Sequence, residues 1–217
     1  SAATSVNANN ATITGTAEAN SFVQIFSDAN NNGLIDGADA VVGSQQLTGG
    51  ATSYSISVPL TQNAANNFTI RVTDAAANQS TLSDVPTITE DSTAPNAPTV
   101  VEVSPDPRTT AVTTPIAINF GESVTGLDIT DFTLTRNGNP VTLTAAMLTG
   151  GGSSYSLDLS TVTGNEGQYE LTLKSSGTGI VDAAGNELSV GTTETWTFIS
   201  VTTTTTGPTP TVADTGQ

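Results

Sequence analysis

Side chains that carry oxygen crowd the stretch DANNNGLIDGAD, residues 28–39. Counted from Asp28, such side chains stand at positions 1, 3, 4, 5, 9 and 12, and the calcium-loop pattern uses those at 1, 3, 5, 9 and 12, with a glycine at position 6. This is the spacing of a twelve-residue calcium loop, in which the glycine permits a sharp bend and position 7 contributes a backbone carbonyl. The sequence therefore predicts a Ca²⁺ site with these ligands: Asp28, Asn30, Asn32, the carbonyl of Leu34, Asp36 and Asp39.

The charge of this loop explains why an ion would stabilise it. Three carboxylates in one short loop repel one another, and Ca²⁺ at about 2.3–2.6 Å from six or seven oxygens converts that repulsion into cohesion. Aspartate at position 12 and two neutral amides favour a modest affinity, ~10⁻⁴ M or weaker, which suits extracellular modules. The alternative is a hydrated Asn/Gly-rich hairpin. No helical pattern flanks the loop, so a paired-helix calcium sensor is not predicted.

The composition excludes several classes of function. Twenty acids stand against four bases, for a formal charge of −16, which argues against nucleic acid and anionic membranes as partners. Cysteine and histidine are both absent, so any metal must be hard and bound by oxygen, and nucleophilic catalysis lacks its usual base. No apolar run approaches 20 residues, so no membrane insertion is predicted. We expect a protein that is not an enzyme.

Seven further acids are possible second cation sites: Asp74, Glu90, Asp91, Glu122, Asp128, Asp131 and Asp182. Two of them open an internal echo, VTDAAANQS and IVDAAGNEL, in which Asp74–Asn78 and Asp182–Asn186 follow strand-like runs. Aspartate and asparagine bond their own backbone in tight turns, so a turn is the alternative to a ligand at both places.

The remaining five acids fall in polar stretches. Glu90 and Asp91 lie in a short linker, where they either share an ion with the neighbouring domain or remain exposed charges. Glu122, Asp128 and Asp131 form either a solvated turn or a second cation site. Paired carboxylates also serve glycosidases, but no aromatic sugar platform accompanies these three, so catalysis is the least favoured reading.

Alternation of β-branched and small polar residues predicts an all-β protein. The strand-like runs are residues 11–17, 22–27, 40–47, 53–59, 68–74, 97–104, 115–120, 131–137, 140–146, 155–160, 168–175 and 194–200. Their density is that of antiparallel β-sandwiches, and a proline-rich break at 89–100 separates two groups.

The sequence thus predicts two tandem antiparallel β-sandwiches, residues 1–94 and 95–200. A Thr-rich tail, residues 201–217, follows them. The tail is either a flexible or glycosylated stalk or a strand donated to the sheet edge of a neighbour.

Several of these motifs resemble a known family. ITGTAEANSFVQIF, SYSISVPLTQNAANNFTIRVTDAAANQS and DSTAPNAPTV resemble the bacterial immunoglobulin-like (Big-type) repeats of large secreted adhesins and surface proteins. INFGESVTGLDITDFTLT and GIVDAAGNEL resemble a second such module. The stretch 28–39 looks like a dockerin- or EF-type calcium loop inserted where the family has a short hairpin.

The resemblance implies a function at the bacterial cell surface. We expect an extracellular, calcium-stabilised structural module of an adhesin or fibre, which acts as a spacer or assembly subunit. Its partners would be neighbouring copies or domains of the same surface protein, and a glycan or host-surface ligand remains open. The alternative is a carbohydrate-binding or accessory module of a secreted hydrolase.

Overall fold

The structure is a computed structural model that describes residues 4–200. These residues form fourteen β-strands and two short 3-10 turns, and they contain no α-helix. None of them lies in a helix that is long and apolar enough to cross a membrane. The tail 201–217, for which a donated strand is one expectation, lies outside the described residues. The strands build two tandem antiparallel sandwiches, which confirms the predicted fold class.

The first sandwich contains seven strands. They are β1 (Thr4–Val6), β2 (Asn10–Thr16), β3 (Phe22–Ser27), β4 (Val41–Gln46), β5 (Ser53–Pro59), β6 (Ala64–Thr73) and β7 (Ser83–Glu90). One sheet pairs β2 with β5, and the facing sheet has the order β1-β7-β6-β3-β4. The pairs are antiparallel except for β1, which runs parallel to β7.

Strict alternation builds the core of this sandwich. In β5, Tyr54, Ile56 and Val58 are buried while the residues between them are exposed. These three side chains belong to the same core cluster as Val23 and Ile25 of β3, in the facing sheet. Full burial of one such side chain is worth about 1.5–3 kcal/mol, so the period of two fixes which face of each strand turns inward.

The second sandwich also contains seven strands. They are β8 (Thr99–Val100), β9 (Ile116–Val124), β10 (Phe132–Arg136), β11 (Asn139–Val141), β12 (Leu148–Leu157), β13 (Gly167–Leu173) and β14 (Thr192–Phe198). The sheet order β11-β10-β13-β14 faces β12-β9-β8. Two 3-10 turns, Ile129–Asp131 and Ala145–Met147, connect strands within it.

Two aromatic rings organise the second core. Tyr169 and Trp196 are almost fully buried, and their rings stack with centroids 5.3 Å apart. The Tyr169 hydroxyl donates to the carbonyl of Asn165 at 2.6 Å. A tyrosine early in the sixth strand that bonds backbone just upstream is the tyrosine corner of immunoglobulin-like sandwiches.

The strand predictions fail at five places. The predicted run 97–104 forms a strand only over Thr99–Val100, and the predicted run 155–160 contains only the end of β12 (Leu148–Leu157). The alternation pattern misses β1 and β7 because β1 is short and Pro86 interrupts the second run. Pro86 is tolerated because it lies at a register shift between β6 and β7 and beyond the end of β1. The predicted strand over 140–146 is wrong after Val141, where the chain turns through Ala145–Met147 before β12 begins.

The tyrosine corner can be tested by removing one hydroxyl. Tyr169→Phe keeps the ring against Trp196 but leaves the Asn165 carbonyl without its donor. We expect the free energy of unfolding to fall by about 1 kcal/mol in urea titrations. Tyr155→Phe is the matched control, since that hydroxyl donates to Val124 at 3.3 Å, and it should cost less. An equal or larger loss in the control would contradict the assignment.

Candidate cation-binding sites

The loop 28–39 connects β3 to β4, so strands flank it on both sides as the sequence predicts. Asn31 and Gly33 have φ of 53° and 70°, and this left-handed backbone folds the loop back on itself. The Asn31 N–H donates to the Asp28 carbonyl, and the Asp39 N–H donates to the Asp36 carbonyl. The two bonds close one turn at each end of the loop.

Asp36, at position 9, binds the side chains at positions 3 and 5 of the loop. Its Oδ2 accepts hydrogen bonds from the amide nitrogens of Asn30 at 3.0 Å and Asn32 at 3.2 Å. Its Oδ1 accepts from the Ala38 N–H at 2.8 Å. These bonds, led by that of Ala38, hold the pKa of Asp36 below its usual value. The carboxylate therefore stays ionised at any physiological pH.

The carboxylates at positions 1 and 12 bind backbone. Asp28 is buried, and its two oxygens accept from the N–H groups of Asn32 and Gly33. Asp39 accepts from the N–H groups of Ala29 and Asp36. Within residues 4–200, the three loop carboxylates do not form one cluster of mutually close oxygens. The structure thus joins Asn30, Asn32 and Asp36 directly and holds Asp28 and Asp39 at the loop's edges.

A fourth carboxylate lies beside the loop. A Cβ placed on Gly33 would come within 3.2 Å of Asp84 Oδ2, so the loop rests against this residue of β7. The Thr69 hydroxyl reaches the other oxygen at 3.5 Å. Sequence analysis misses Asp84 because it is distant in sequence and because β7 is not predicted as a strand.

A second group of carboxylates lies at the junction of the two sandwiches. Asp91, Glu122 and Asp182 each offer one oxygen, and these oxygens all lie within 4.8 Å of one another. Asp91 follows the last strand of the first sandwich, while Glu122 lies in β9 and Asp182 in the loop after β13. All three are residues that the sequence marks as possible ligands, and the structure brings them together.

Backbone contacts position each member of this junction cluster. The Asp91 N–H donates to the carbonyl of Val6 in β1 at 2.9 Å, which ties the linker to the first sandwich. Reciprocal hydrogen bonds of 2.8 and 3.0 Å between Thr125 and Val181 place the end of β9 beside the loop that carries Asp182.

Gly126 makes this approach possible. It has a φ of 91°, and a Cβ there would collide with the carbonyl oxygen of Gly179. Any larger residue at Gly126 would push the two loops apart.

Two asparagines bridge the sandwiches next to these acids. The Asn186 side chain is buried, and its amide nitrogen donates to the Asp91 carbonyl at 2.9 Å and to Asp182 Oδ2 at 2.8 Å. Its amide oxygen accepts from the Asn7 side chain. The sequence echo marks Asn186 as a turn residue, but no local pattern indicates its contact with Asn7, which is 179 positions away.

The electrostatics of the junction are unfavourable for three ionised groups. Burial, followed by the negative charges of Asp182 and Asp91, raises the pKa of Glu122. Burial opposes ionisation of Asp182 as well, but hydrogen bonds from Asn186, Ala184 and Gly185 outweigh it and lower the pKa. Glu122 is therefore the group that experiences the uncompensated negative charge.

The sequence matches a known protein family. A family model described as "Bacterial Ig-like domain" matches residues 94–203, just over half of the chain. The chain belongs to the bacterial Ig-like domain family. No curated protein matches the sequence.

Among solved structures, the chain is similar to one titled "Biofilm associated protein - BSP domain", with 16% identity and a TM-score of 0.28. That match covers 95% of this chain and 29% of the other, so the Ig-like domains described here span less than a third of its length.

Four of the acids marked by the sequence lie outside the junction cluster of the Ig-like domains. Asp74 accepts from the Ala76 and Asn78 N–H groups and closes a turn. Glu90 is 1% exposed, and its carboxylate accepts from the Asn63 N–H at 2.6 Å.

Asp128 and Asp131 cap the 3-10 turn between β9 and β10. The Asp128 side chain accepts from the Thr130 N–H, and Asp131 Oδ2 accepts from the Asp128 N–H. The hydrogen bonds from Thr130 lower the pKa of Asp128, and burial raises that of Asp131. Both carboxylates are thus occupied by local capping.

The raised pKa of Glu122 predicts a pH dependence in calcium-free solution. The folded chain holds this proton more tightly than the unfolded chain, so stability falls as pH rises through the raised pKa. Glu122→Gln stays neutral, and we expect it to be more stable than the parent at about pH 7 but not near pH 4, where both side chains are uncharged. Thermal melting in EGTA across this range measures the difference.

Glu170→Gln, on the exposed face of β13, is the matched control and should follow the parent at every pH. A parent chain that is as stable at neutral pH as Glu122→Gln would show that the junction carboxylates do not repel one another.

Proposed function

We propose that this chain is a calcium-stabilised structural module of a bacterial surface adhesin or fibre, and that Ca²⁺ fixes the orientation of its two Ig-like domains. The observation that carries the proposal is the convergence of Asp91, Glu122 and Asp182. One of these residues extends from the first domain and two belong to the second, so an ion bound by all three would join the domains.

The donor set at the junction fits a hard divalent cation. Carboxylate oxygens are the ligands that Ca²⁺ and Mg²⁺ prefer, and amide and backbone carbonyls add neutral oxygens. The Asp91 carbonyl and the Asn186 side chain lie next to the three carboxylates. A cation would offset the negative charges of Asp182 and Asp91, which add to the effect of burial in raising the pKa of Glu122. Calcium is favoured over magnesium because it accepts irregular oxygen shells.

The loop 28–39 is proposed as a second Ca²⁺ site, of the dockerin or EF type. Asn30 and Asn32 already face the Asp36 carboxylate, and half a turn of each terminal amide would present oxygen in place of nitrogen. Asp84 adds a carboxylate from β7 beside Gly33. Occupation of this loop would tie the β3–β4 connection to β7 of the same five-stranded sheet.

The cellular setting is proposed from the same features. Extracellular calcium is plentiful enough for sites of modest affinity, and twenty acids against four bases keep neighbouring copies apart in solution. The role of a spacer follows if the junction is rigid. The role of an assembly subunit follows if the tail 201–217 adds a strand to a neighbour, as one expectation from the sequence holds.

The carbohydrate-binding alternative has less support. It requires a row of exposed aromatic side chains. The large hydrophobic side chains exposed among residues 4–200 are all aliphatic: Leu34, Val41, Val101, Val190 and Ile199. Most of the aromatic side chains are buried in the two cores, among them Tyr54, Phe68, Phe132 and Tyr169.

The loop site predicts a calcium-dependent gain in stability. A chain that carries Glu122→Gln isolates the loop from the junction. At free calcium ten times the Kd, the gain should be about 1.4 kcal/mol. Adding Asp36→Asn should abolish most of it, because the loop loses its central charge. Differential scanning calorimetry with and without calcium measures both.

Asp158→Asn serves as the control for the loop, since Asp158 is an exposed aspartate that likewise accepts from a backbone N–H two residues on, that of Ser160. It should keep the full calcium response. If calcium stabilises the chain with Glu122→Gln and Asp36→Asn as much as it stabilises the chain with Glu122→Gln alone, the ion does not bind in this loop.

The junction site predicts that calcium narrows the distribution of interdomain distances. The chain has no cysteine, so Ser57→Cys in β5 and Thr133→Cys in β10, both exposed, accept spin labels without competition. Pulsed electron paramagnetic resonance should give a narrow distribution in calcium and a broad one in EGTA. In calcium, the distance distribution of the Glu122→Gln variant should remain broad, whereas that of the Glu170→Gln variant should become narrow. A distribution of the same width in both solutions would refute the proposed role of calcium.

A further inference from the structure

Two Asn-Gly dipeptides occur in the chain: Asn32-Gly33 in the loop 28–39 and Asn137-Gly138 in the turn between β10 and β11. Glycine has no side chain to shield its backbone nitrogen, so this nitrogen can reach the side-chain amide of the asparagine before it. Both dipeptides are therefore open to the same spontaneous reaction, and their surroundings decide how fast it runs.

The reaction converts an asparagine into an acid without an enzyme. The glycine nitrogen attacks Cγ of the asparagine and forms a C–N bond, while the Cγ–Nδ2 bond breaks. The proton of the glycine N–H ends on Nδ2, and ammonia leaves. Water, the one co-reactant, then opens the resulting succinimide ring at either of its two carbonyls, which gives aspartate or isoaspartate.

The loop holds Asn32 in the arrangement that this reaction needs. The Leu34 N–H donates to Asn32 Oδ1 at 2.8 Å, which closes a turn around the Asn32–Gly33 peptide and keeps Cγ beside the Gly33 nitrogen. The same donor faces the oxygen on which negative charge develops as the ring closes. Prepositioned reactants and a donor at that oxygen both lower the barrier.

The groups that must leave or enter are also placed for the reaction. The Gly33 N–H donates to Asp28 Oδ2 at 2.8 Å, so a carboxylate already faces the proton that departs from the nitrogen. Asn32 Nδ2, the nitrogen that leaves, donates to Asp36 Oδ2 at 3.2 Å. Asn32 is exposed, which gives water the access that opening of the ring requires.

Asn137 is held in a different way. Its Oδ1 accepts from the Gln168 N–H at 2.8 Å, and its own N–H donates to the Gln168 carbonyl at 2.8 Å. A Cβ placed on Gly167 would come within 2.8 Å of Asn137 Nδ2, so the side chain packs against β13. These contacts hold Cγ toward the neighbouring strand rather than beside the nitrogen of Gly138.

We propose that Asn32 is a site of spontaneous deamidation promoted by the Leu34 N–H, and that the reaction changes the charge of the loop 28–39 as the protein ages. An aspartate product places a carboxylate at position 5 of the loop, where a charged ligand replaces a neutral one. An isoaspartate product adds a carbon to the main chain and displaces the Gly33 and Leu34 N–H groups from their acceptors.

The effect on calcium rests on the loop site proposed above. The affinity of such loops depends on the number of charged ligands, so aspartate would tighten binding. Isoaspartate would weaken it, because the main chain no longer follows the course that brings the ligands together.

Peptide mapping of the full chain tests the modification. The chain is kept in neutral buffer with EGTA, sampled over time and digested, and mass spectrometry measures deamidation at each asparagine. We expect Asn32 to react at least about tenfold faster than Asn137, because its side chain is held beside the nitrogen that attacks it. In urea both arrangements are lost, and the two rates should become similar. Equal rates in the folded chain, or a faster rate at Asn137, would overturn the proposal.

Two substitutions at the exposed Leu34 isolate the hydrogen bond. Leu34→Pro has no N–H to donate to Asn32 Oδ1, so the rate at Asn32 should fall toward the rate in urea. Leu34→Ala keeps the N–H and is the matched control, whose rate should equal that of the parent. If the two variants react equally fast, the Leu34 N–H does not promote the reaction. Calorimetry shows whether each variant is folded, and the comparison of Asn32 with Asn137 in the parent needs no substitution.

The consequence for calcium is measured separately, by isothermal titration calorimetry of chains that carry Glu122→Gln. Asn32→Asp should lower the Kd of the loop at least about threefold, because it adds a charged ligand. Asn31→Asp adds the same charge at position 4, which is not a ligand position, and should lower the Kd less. Equal affinities would show that the new carboxylate is not a ligand. If Asn32 deamidates but neither variant binds calcium, the proposed loop site fails and the modification stands.

Discussion

Repulsion between carboxylates that have no basic partners is the constraint on which this structure depends. With four basic residues in 217, the chain cannot neutralise its acids by ion pairs. It organises them instead with neutral donors, such as the Asn186 amide beside Asp182 and the Asn30 and Asn32 amides beside Asp36. Neutral donors fix the geometry and leave the negative charge in place. A site of this kind offers the oxygen ligands that a hard divalent cation prefers, and a bound cation would offset the remaining repulsion.

Comparing the two copies of the Asp/Asn turn shows which of its features arise locally and which depend on tertiary contacts. Asp74 and Asp182 make the same backbone hydrogen bonds, so nearly the same five residues form the same turn in two different settings. Their surroundings differ because Asp182 is buried against the linker of the preceding domain, whereas Asp74 lines an open cleft. A turn that already holds its carboxylate rigidly can serve as a ligand wherever a neighbour supplies further oxygens.

The sequence predicts loops and strands well, but it does not predict which distant side chains come together in one site. The spacing within 28–39 identifies a loop between strands, and alternation identifies most of both sandwiches. Asp91, Glu122 and Asp182 are each recognisable as candidates, but only the close approach of two loops at Gly126 makes them one cluster. Asp84 is not recognised as a candidate because Pro86 interrupts the strand pattern of β7, the strand that contains it. The Glu90 carboxylate does not join the cluster and instead accepts a hydrogen bond from the Asn63 N–H.

The two proposed sites differ in what an ion must displace. In the loop, the hydrogen bonds of Asn30 and Asn32 to Asp36 must break before their oxygens can reach a cation. At the junction, a cation would meet Glu122, whose ionised form is disfavoured by burial and then by the charges of Asp182 and Asp91. Binding at the junction would therefore offset the repulsion at Glu122 while competing with the Asn186 amide for Asp182 Oδ2. Binding in the loop would exchange one set of favourable contacts for another. On this reasoning we expect the proposed junction site to fill at lower calcium concentrations than the proposed loop site.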